Sequence, residues 1–420
     1  MTRQLLTDNV YLTYVPSEKF KTSFLSAQMV MPLASRTAGL NALLVNVLSR
    51  GTARCPDMDA LGRELDMLYG ARLDPAVRRK GENQIFGFVA SCIDDKYLSG
   101  GEKLLEPLTE LMGEMLCSPA LQDGRLNPAY VESEQANLID LIRSDVNDKR
   151  AYAARRLREE MFAGEPFGVN RLGAAGDVEA ITPEQLDRHY RAILPQVRLE
   201  LFYCGSASAE RAAAAYRRAL AGLPRSGGLD AAVTSRRAAP AQPRLVTEEL
   251  DVTQGKLCIG YRTDSPDEHA SIVANAMFGG SSNSKLFLNV REKLSLCYYA
   301  GSSYDREKGA LMVSSGIEFA NYDQAMAEIA AQLAAIQRGD WEDWEFTGAK
   351  SYLLNNFRSM EDFASSLESY LLFQAVSGSK ETLGELMEAV EAVTPERVME
   401  AARAIRPDTI YFLKGKETQE

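Results

Sequence analysis

The sequence predicts an α+β protein built from two domains of one design, each a mainly antiparallel sheet with helices on one face. Three observations carry this reading. A chain of 420 residues exceeds what one hydrophobic core ordinarily holds. Segment 224–244, PRSGGLDAAVTSRRAAPAQPR, is rich in Gly, Pro, Ala and Arg and lacks apolar periodicity, so it reads as an exposed linker. The stretches on either side, 1–223 and 245–420, repeat each other's landmarks in the same order.

The landmarks are physical signals rather than loose similarity. A strand ending Met29-Val30-Met31-Pro32 leads to Leu40, Leu43, Leu44, Val47 and Leu48, whose spacing gives one buried helix face. Gly39 is expected to precede that helix and Arg50-Gly51-Thr52 to end it. Arg63-Glu64 precedes Lys80-Gly81 by the same interval that separates Arg291-Glu292 from Lys308-Gly309. Strands follow in both halves, Gln84 to Cys92 and Ala310 to Ile317, then amphipathic helices. Leu104, Leu108, Leu111 and Met115 share a face of the first helix, and Met326, Ile329, Leu333 and Ile336 share one of the second. Thr182-Pro183-Glu184 and Thr394-Pro395-Glu396 each supply an N-cap, a first-turn proline and an acidic first turn. Each of these helices runs into a β-rich strand, Leu199 to Tyr203 and Thr409 to Leu413.

Composition narrows the function classes. A net charge of -11 argues against nucleic-acid binding, which wants a basic face, and leaves room for neutral or basic peptides. The sequence Met1-Thr2-Arg3-Gln4-Leu5-Leu6 opens without a long apolar run, and no stretch has the span of a transmembrane helix. Six scattered cysteines without a Cys-x-x-Cys pair fit free thiols, so the expected location is the cytoplasm. The chain has two histidines, His189 and His269, too far apart in sequence to share a helical face. Both read as ordinary helix residues rather than catalysts. Carboxylate pairs such as Asp94-Asp95 and Glu159-Glu160 read as solvated faces.

The helix around Leu40–Leu48 and its Gly-Thr exit resemble the zinc helix of the insulinase, pitrilysin and mitochondrial processing peptidase family. That resemblance implies the duplicated LuxS/metallopeptidase-like fold, one half of a clamshell. In the family the helix carries His-x-x-Glu-His. Counted back from Gly51, those positions are Ala42, Leu43, Leu44, Val45 and Asn46. Alanine and valine offer a metal no lone pair, and one Asn amide is a poor zinc ligand. The family's third ligand, a glutamate on a later helix, falls on Leu141, or on Asp140 one residue away. The resemblance therefore implies no metal, no cofactor and no catalytic residue in this chain alone.

Gly279-Gly280-Ser281-Ser282, Ser284-Lys285-Leu286-Phe287, Arg291-Glu292-Lys293 and Leu296-Cys297-Tyr298 resemble the family's second-half signature. By that resemblance Arg291 and Tyr298 help hold a peptide near a zinc ion, as donors to a carbonyl oxygen gaining charge. Their structural alternatives are a helix-surface ion-pair residue and a strand core residue. Gly279 and Gly280 either contact substrate or end a helix through positive φ. The chain also resembles zinc-site-less bacterial members associated with aminopentanol modification of elongation factor P. The resemblance implies a non-catalytic subunit that encloses peptide with a zinc-bearing paralogue as a heterodimer, or a homodimer. The alternative is a scaffold subunit, like the core proteins of the respiratory cytochrome bc complex.

Overall fold

The computed structural model describes residues 1–416. Its contacts divide into two compact units, and neither is a continuous stretch of chain. Among the described residues, the first comprises 1–143, 169–233 and 363–379, and the second comprises 144–168, 234–362 and 380–416. The chain passes from the first unit to the second at Val233/Thr234, among other crossings. Beyond that passage, each unit takes in one segment from the opposite half, which a contiguous division at 223 and 245 omits.

Thirteen strands are assigned among the described residues. In the first unit these are β1 (Thr2–Thr7), β2 (Val10–Pro16), β3 (Thr22–Pro32), β4 (Arg72–Lys80), β5 (Asn83–Ile93), the short β6 (Leu121–Gln122) and β7 (Arg125–Leu126), and β8 (Arg198–Gly205). The second unit has β9 (Arg244–Leu250), β10 (Gly255–Thr263), β11 (Cys297–Asp305), β12 (Ala310–Ile317) and β13 (Ile405–Gly415). The first sheet is ordered β1-β2-β8-β3-β5-β4, and the second, read from its far edge, is β9-β13-β10-β12-β11. With β1 set aside, strand follows strand in the same connectivity. Even the single parallel pair recurs, β2 with β8 and β9 with β13. The duplication foreseen in sequence is thus a duplication of topology.

The helices are α1 (Ser35–Leu48), α2 (Met58–Met67), α3 (Leu105–Cys117), α4 (Pro128–Ser144), α5 (Lys149–Met161), α6 (Ala175–Glu179), α7 (Pro183–Ile193), α8 (Ala209–Ala219), α9 (Glu268–Asn275), α10 (Tyr322–Arg338), α11 (Asp343–Met360), α12 (Ala364–Ser377), α13 (Leu383–Glu391) and α14 (Pro395–Arg403). Thr182 caps α7 in a reciprocal capping box with Gln185, and Thr394 caps α14, each with proline in the first turn. In the first unit one core joins α1, α3, α7 and α8 to the inward face of the sheet, through residues such as Leu25, Ala27, Phe86, Phe88 and Leu201. Helix α1 starts at Ser35, before Gly39 rather than after it. Gly39 lies in its second turn, where a Cβ would stand 2.9 Å from Val178 Cγ2. Here glycine permits close packing and does not mark the start of the helix.

Side chains of a strand alternate between faces, so Val30, Phe202 and Cys204 point away from that core. They meet Leu371, Leu372 and Val376 of α12 instead. In the second unit α5 plays the same part, packing Ala153 and Leu157 against Cys258, Tyr411 and Leu413. Each sheet therefore has its main helical layer on one face and, on the other, a helix encoded in the opposite half of the chain. No helix among the described residues is long and apolar enough to cross a membrane.

Candidate functional site

Helix α1 is buried almost throughout, which decides what its metal-motif positions can do. Ala42 and Val45 are fully buried within the core, and Asn46 is half-buried. The corresponding later helix, α4, turns Val131 and Leu138 inward, while Gln135 donates to the carbonyls of Val178 and Ile181. Leu141 lies off that face and is 56% exposed, and Asp140 is exposed beside it. Arg50 at the end of α1 pairs with Glu134 of α4 at 3.0 Å. Ala42, Val45 and Leu141 put hydrocarbon, and Asn46 a single amide, where a zinc site needs imidazole nitrogen and carboxylate. Among the described residues, no group of three His, Cys, Asp or Glu is arranged to hold a metal. The residues present do not fit the family's zinc.

Both histidines have local partners. His189, on α7, lies 2.6 Å from Asn41 Oδ1, and burial lowers its pKa to about 4. His269, in the first turn of α9, is paired with Glu381. Asp94, expected on a solvated face, is buried instead. Burial raises its pKa, but hydrogen bonds from Ser206 and Ser23 more than offset this and hold it below the usual carboxylate range. Glu159 and Glu160 are half-buried and pair with Arg155 and Arg156.

The second-half signature folds into two π-helical segments, Ala276–Gly280 and Leu286–Lys293, followed by edge strand β11. Neither Gly279 nor Gly280 has positive φ, so neither ends a helix by a left-handed turn. Gly279 is buried, and a Cβ there would stand 2.7 Å from the backbone nitrogen of Ser302 in β11. Its use is close approach to that strand, and its burial takes it out of reach as a substrate contact. Gly280 is half-buried against Asn275. The turn ends at Lys285, which is buried and paired with Glu345 of α11 at 2.9 Å.

Arg291 is partly exposed. Its guanidinium lies over the Phe287 ring, 4.7 Å from the centroid, and 3.2 Å from Glu292. Tyr298 is 68% exposed and not part of a strand core. The reason is visible in the register: Cys297 pairs with Ile317 and Tyr299 with Gly316, leaving Tyr298 as the extra residue of a bulge. Bulges redirect a side chain that regular pairing would have buried or paired. Burial raises the Cys297 thiol's pKa, opposed first by a hydrogen bond with Ser315 and then by the charge of Arg291. A partly exposed cationic donor on the second π-helical segment is thus followed by an exposed phenolic donor on the edge strand.

Residues 180–353 match the family profile described as the Peptidase M16 inactive domain. Over 408 residues, 96% of this chain and 95% of the relative, the sequence is 36% identical to the Bacillus subtilis protein named probable inactive metalloprotease YmfF. The chain belongs to the M16 peptidase family. Among solved structures, a conserved protein from Enterococcus faecalis V583 superposes with a TM-score of 0.91 at 27% identity, covering 100% of this chain and 99% of that one. A structure described as a peptidase M16 inactive domain from Pseudomonas fluorescens gives 0.79 at 16% identity, covering 100% and 99%, which speaks to the fold alone. Within M16 this chain is an inactive homologue, in keeping with the loss of both histidines and the glutamate from α1.

Two features of the sites escaped the sequence reading. Glu368 of α12 is buried and receives two guanidinium nitrogens of Arg78, each at 2.7 Å, and Ser26 Oγ at 3.0 Å. In the second unit Glu165 takes Arg262 at 2.8 Å and Lys308 at 2.6 Å, both buried cations. The available signal was a lone glutamate within the apolar stripe Leu367, Leu371, Leu372 and Val376. Such a charge needs a partner from another element.

Proposed function

We propose that this chain is the non-catalytic subunit of a two-chain zinc peptidase of the cytoplasm. It forms part of a peptide-enclosing chamber whose metal is held by a zinc-bearing M16 paralogue. The observation that carries the reading is the pairing of two facts in one chain. The zinc-helix positions hold Ala42, Val45 and Asn46, while Arg291 is partly exposed and the bulged Tyr298 stands exposed on an edge strand. A protein with no binding role has little reason to hold a tyrosine out of its sheet in this way. Six free cysteines support the cytoplasmic setting.

In this role Arg291 and Tyr298 donate to the peptide carbonyl that gains negative charge during attack by zinc-bound water on the other subunit. Donors aimed at such an oxygen are worth about 10²–10³ in rate. Co-expression with an M16 paralogue bearing His-x-x-Glu-His tests the proposal. The expected outcome is a stable complex that cleaves peptides, with the Arg291→Ala complex assembling normally and turning over about 10²–10³ times more slowly. Unchanged turnover by the assembled Arg291→Ala complex would remove the role given to this residue. Assembly without activity in any combination would point to a scaffold subunit.

A further inference from the structure

The first unit contains an open cleft of about 500 Å³ between α1, α6 and α7, which none of the chemistry above uses. That volume is within the range of small-ligand sites. Leu40, Ile181 and Ala192 make its apolar wall, and Arg36, Arg188 and His189 are its main polar groups. Neither arginine has a hydrogen-bond or ion-pair partner among the described residues, whereas most arginines of this chain are paired. Asp177 also lines the cleft, so the lining has two arginines and a single carboxylate.

The hydrogen bonds behind His189 fix which of its nitrogens carries the proton. Gln84 Nε2 reaches the carbonyl oxygens of Ala38 at 3.0 Å and Arg171 at 2.6 Å, and carbonyls can only accept. Gln84 Oε1 must then accept from Asn41 Nδ2, at 2.8 Å. Asn41 is thereby left with Oδ1 toward His189 Nε2, which must donate. Burial keeps the ring neutral near pH 7, with its pKa lowered to about 4. The imidazole lining the cleft therefore has Nδ1 as its acceptor nitrogen, in a site that also holds two uncommitted cations and an apolar wall.

We infer that this cleft binds the free C-terminal residue of a peptide. The carboxylate sits between Arg36 and Arg188, the last amide N–H donates to His189 Nδ1, and the side chain packs on Leu40 and Ile181. A neutral amide end lacks the charge, and an inorganic anion lacks the apolar group. The inference stands apart from the zinc-bearing partner, since every contact comes from this chain and neither Arg291 nor Tyr298 takes part.

Saturation-transfer NMR on the full chain, with N-acetyl-alanyl-leucine and its C-terminal amide as paired probes, tests this. The acid should saturate and the amide should bind at least about tenfold more weakly, the scale of one lost charged hydrogen bond. The double variant Arg36→Gln/Arg188→Gln should lose the acid's binding while melting at the wild-type temperature. Equal binding of acid and amide, no saturable signal from the acid, or full binding by a folded double variant would each overturn the inference. Should the double variant fail to fold, the acid–amide comparison on the wild type decides alone.

Discussion

Glu368 shows how much one side chain can carry. It is 2% exposed, and its two oxygens take both Arg78 nitrogens and the Ser26 hydroxyl. Removing one member of a buried pair leaves the other charge uncompensated, at a cost of about 3–5 kcal/mol. Glu368→Ala should therefore lower the melting temperature markedly, and Glu368→Gln less, by differential scanning calorimetry. His189 gives a pH signature. Its pKa is about 4 in the folded chain against 6.5 when unperturbed, so between those values the unfolded chain binds a proton that the folded one refuses. Stability is full above pH 6.5 and falls as the pH drops toward 4, by up to about 3 kcal/mol. Comparing His189→Gln with the wild type by urea unfolding at pH 7 and pH 4.5 should show the variant losing less on acidification. At this scale the sequence was half legible. The missing donors at Ala42 and Val45 could be read directly, because an alanine cannot ligate in any fold. Tyr298 and Asp94 could not, because a bulge and a buried hydrogen-bond cage depend on strand register.

Among the elements, local physical signals were the most dependable guide. Thr182 and Thr394 cap their helices as the Thr-Pro-Glu pattern requires, and β12 spans Ala310–Ile317, the segment expected for it. The common sheet order follows from the duplicated landmarks. The destinations of α5 and α12 were not readable, since an apolar stripe says that a face is buried but not which sheet buries it. The glycine turn departs from its expected helix-ending role for a related reason: Gly279 is required by the approach of β11, a contact distant in sequence. Gly279→Ala forces a Cβ to within 2.7 Å of the Ser302 backbone nitrogen. Such overpacking typically costs about 1–3 kcal/mol. The measurable result is a lower melting temperature with an unchanged far-ultraviolet circular dichroism spectrum at 20 °C, roughly the temperature of maximum stability.

For the whole molecule, the segments each unit takes from the other half set the cooperativity. Residues 144–168 complete the second unit and 363–379 complete the first. Trypsin has exposed sites in the irregular stretch at Arg236 and Arg237. Cleavage there should yield two fragments on a denaturing gel that still elute together in native size-exclusion chromatography. Separation without denaturant would contradict the unit assignments. Expression of 1–233 alone should give an aggregating product, because Val30, Phe202 and Cys204 lose the helix that covers them.

That exchange of helices means the stretch that was copied and the body that folds are different objects. A gene for either repeat as now written would encode a sheet with one side bare and a spare helix with no sheet to cover. Recombination that replaced one repeat with a relative's would have to match the spare helix to a foreign sheet, residue by residue. The two repeats are thus bound to change in step, each holding a part the other cannot fold without.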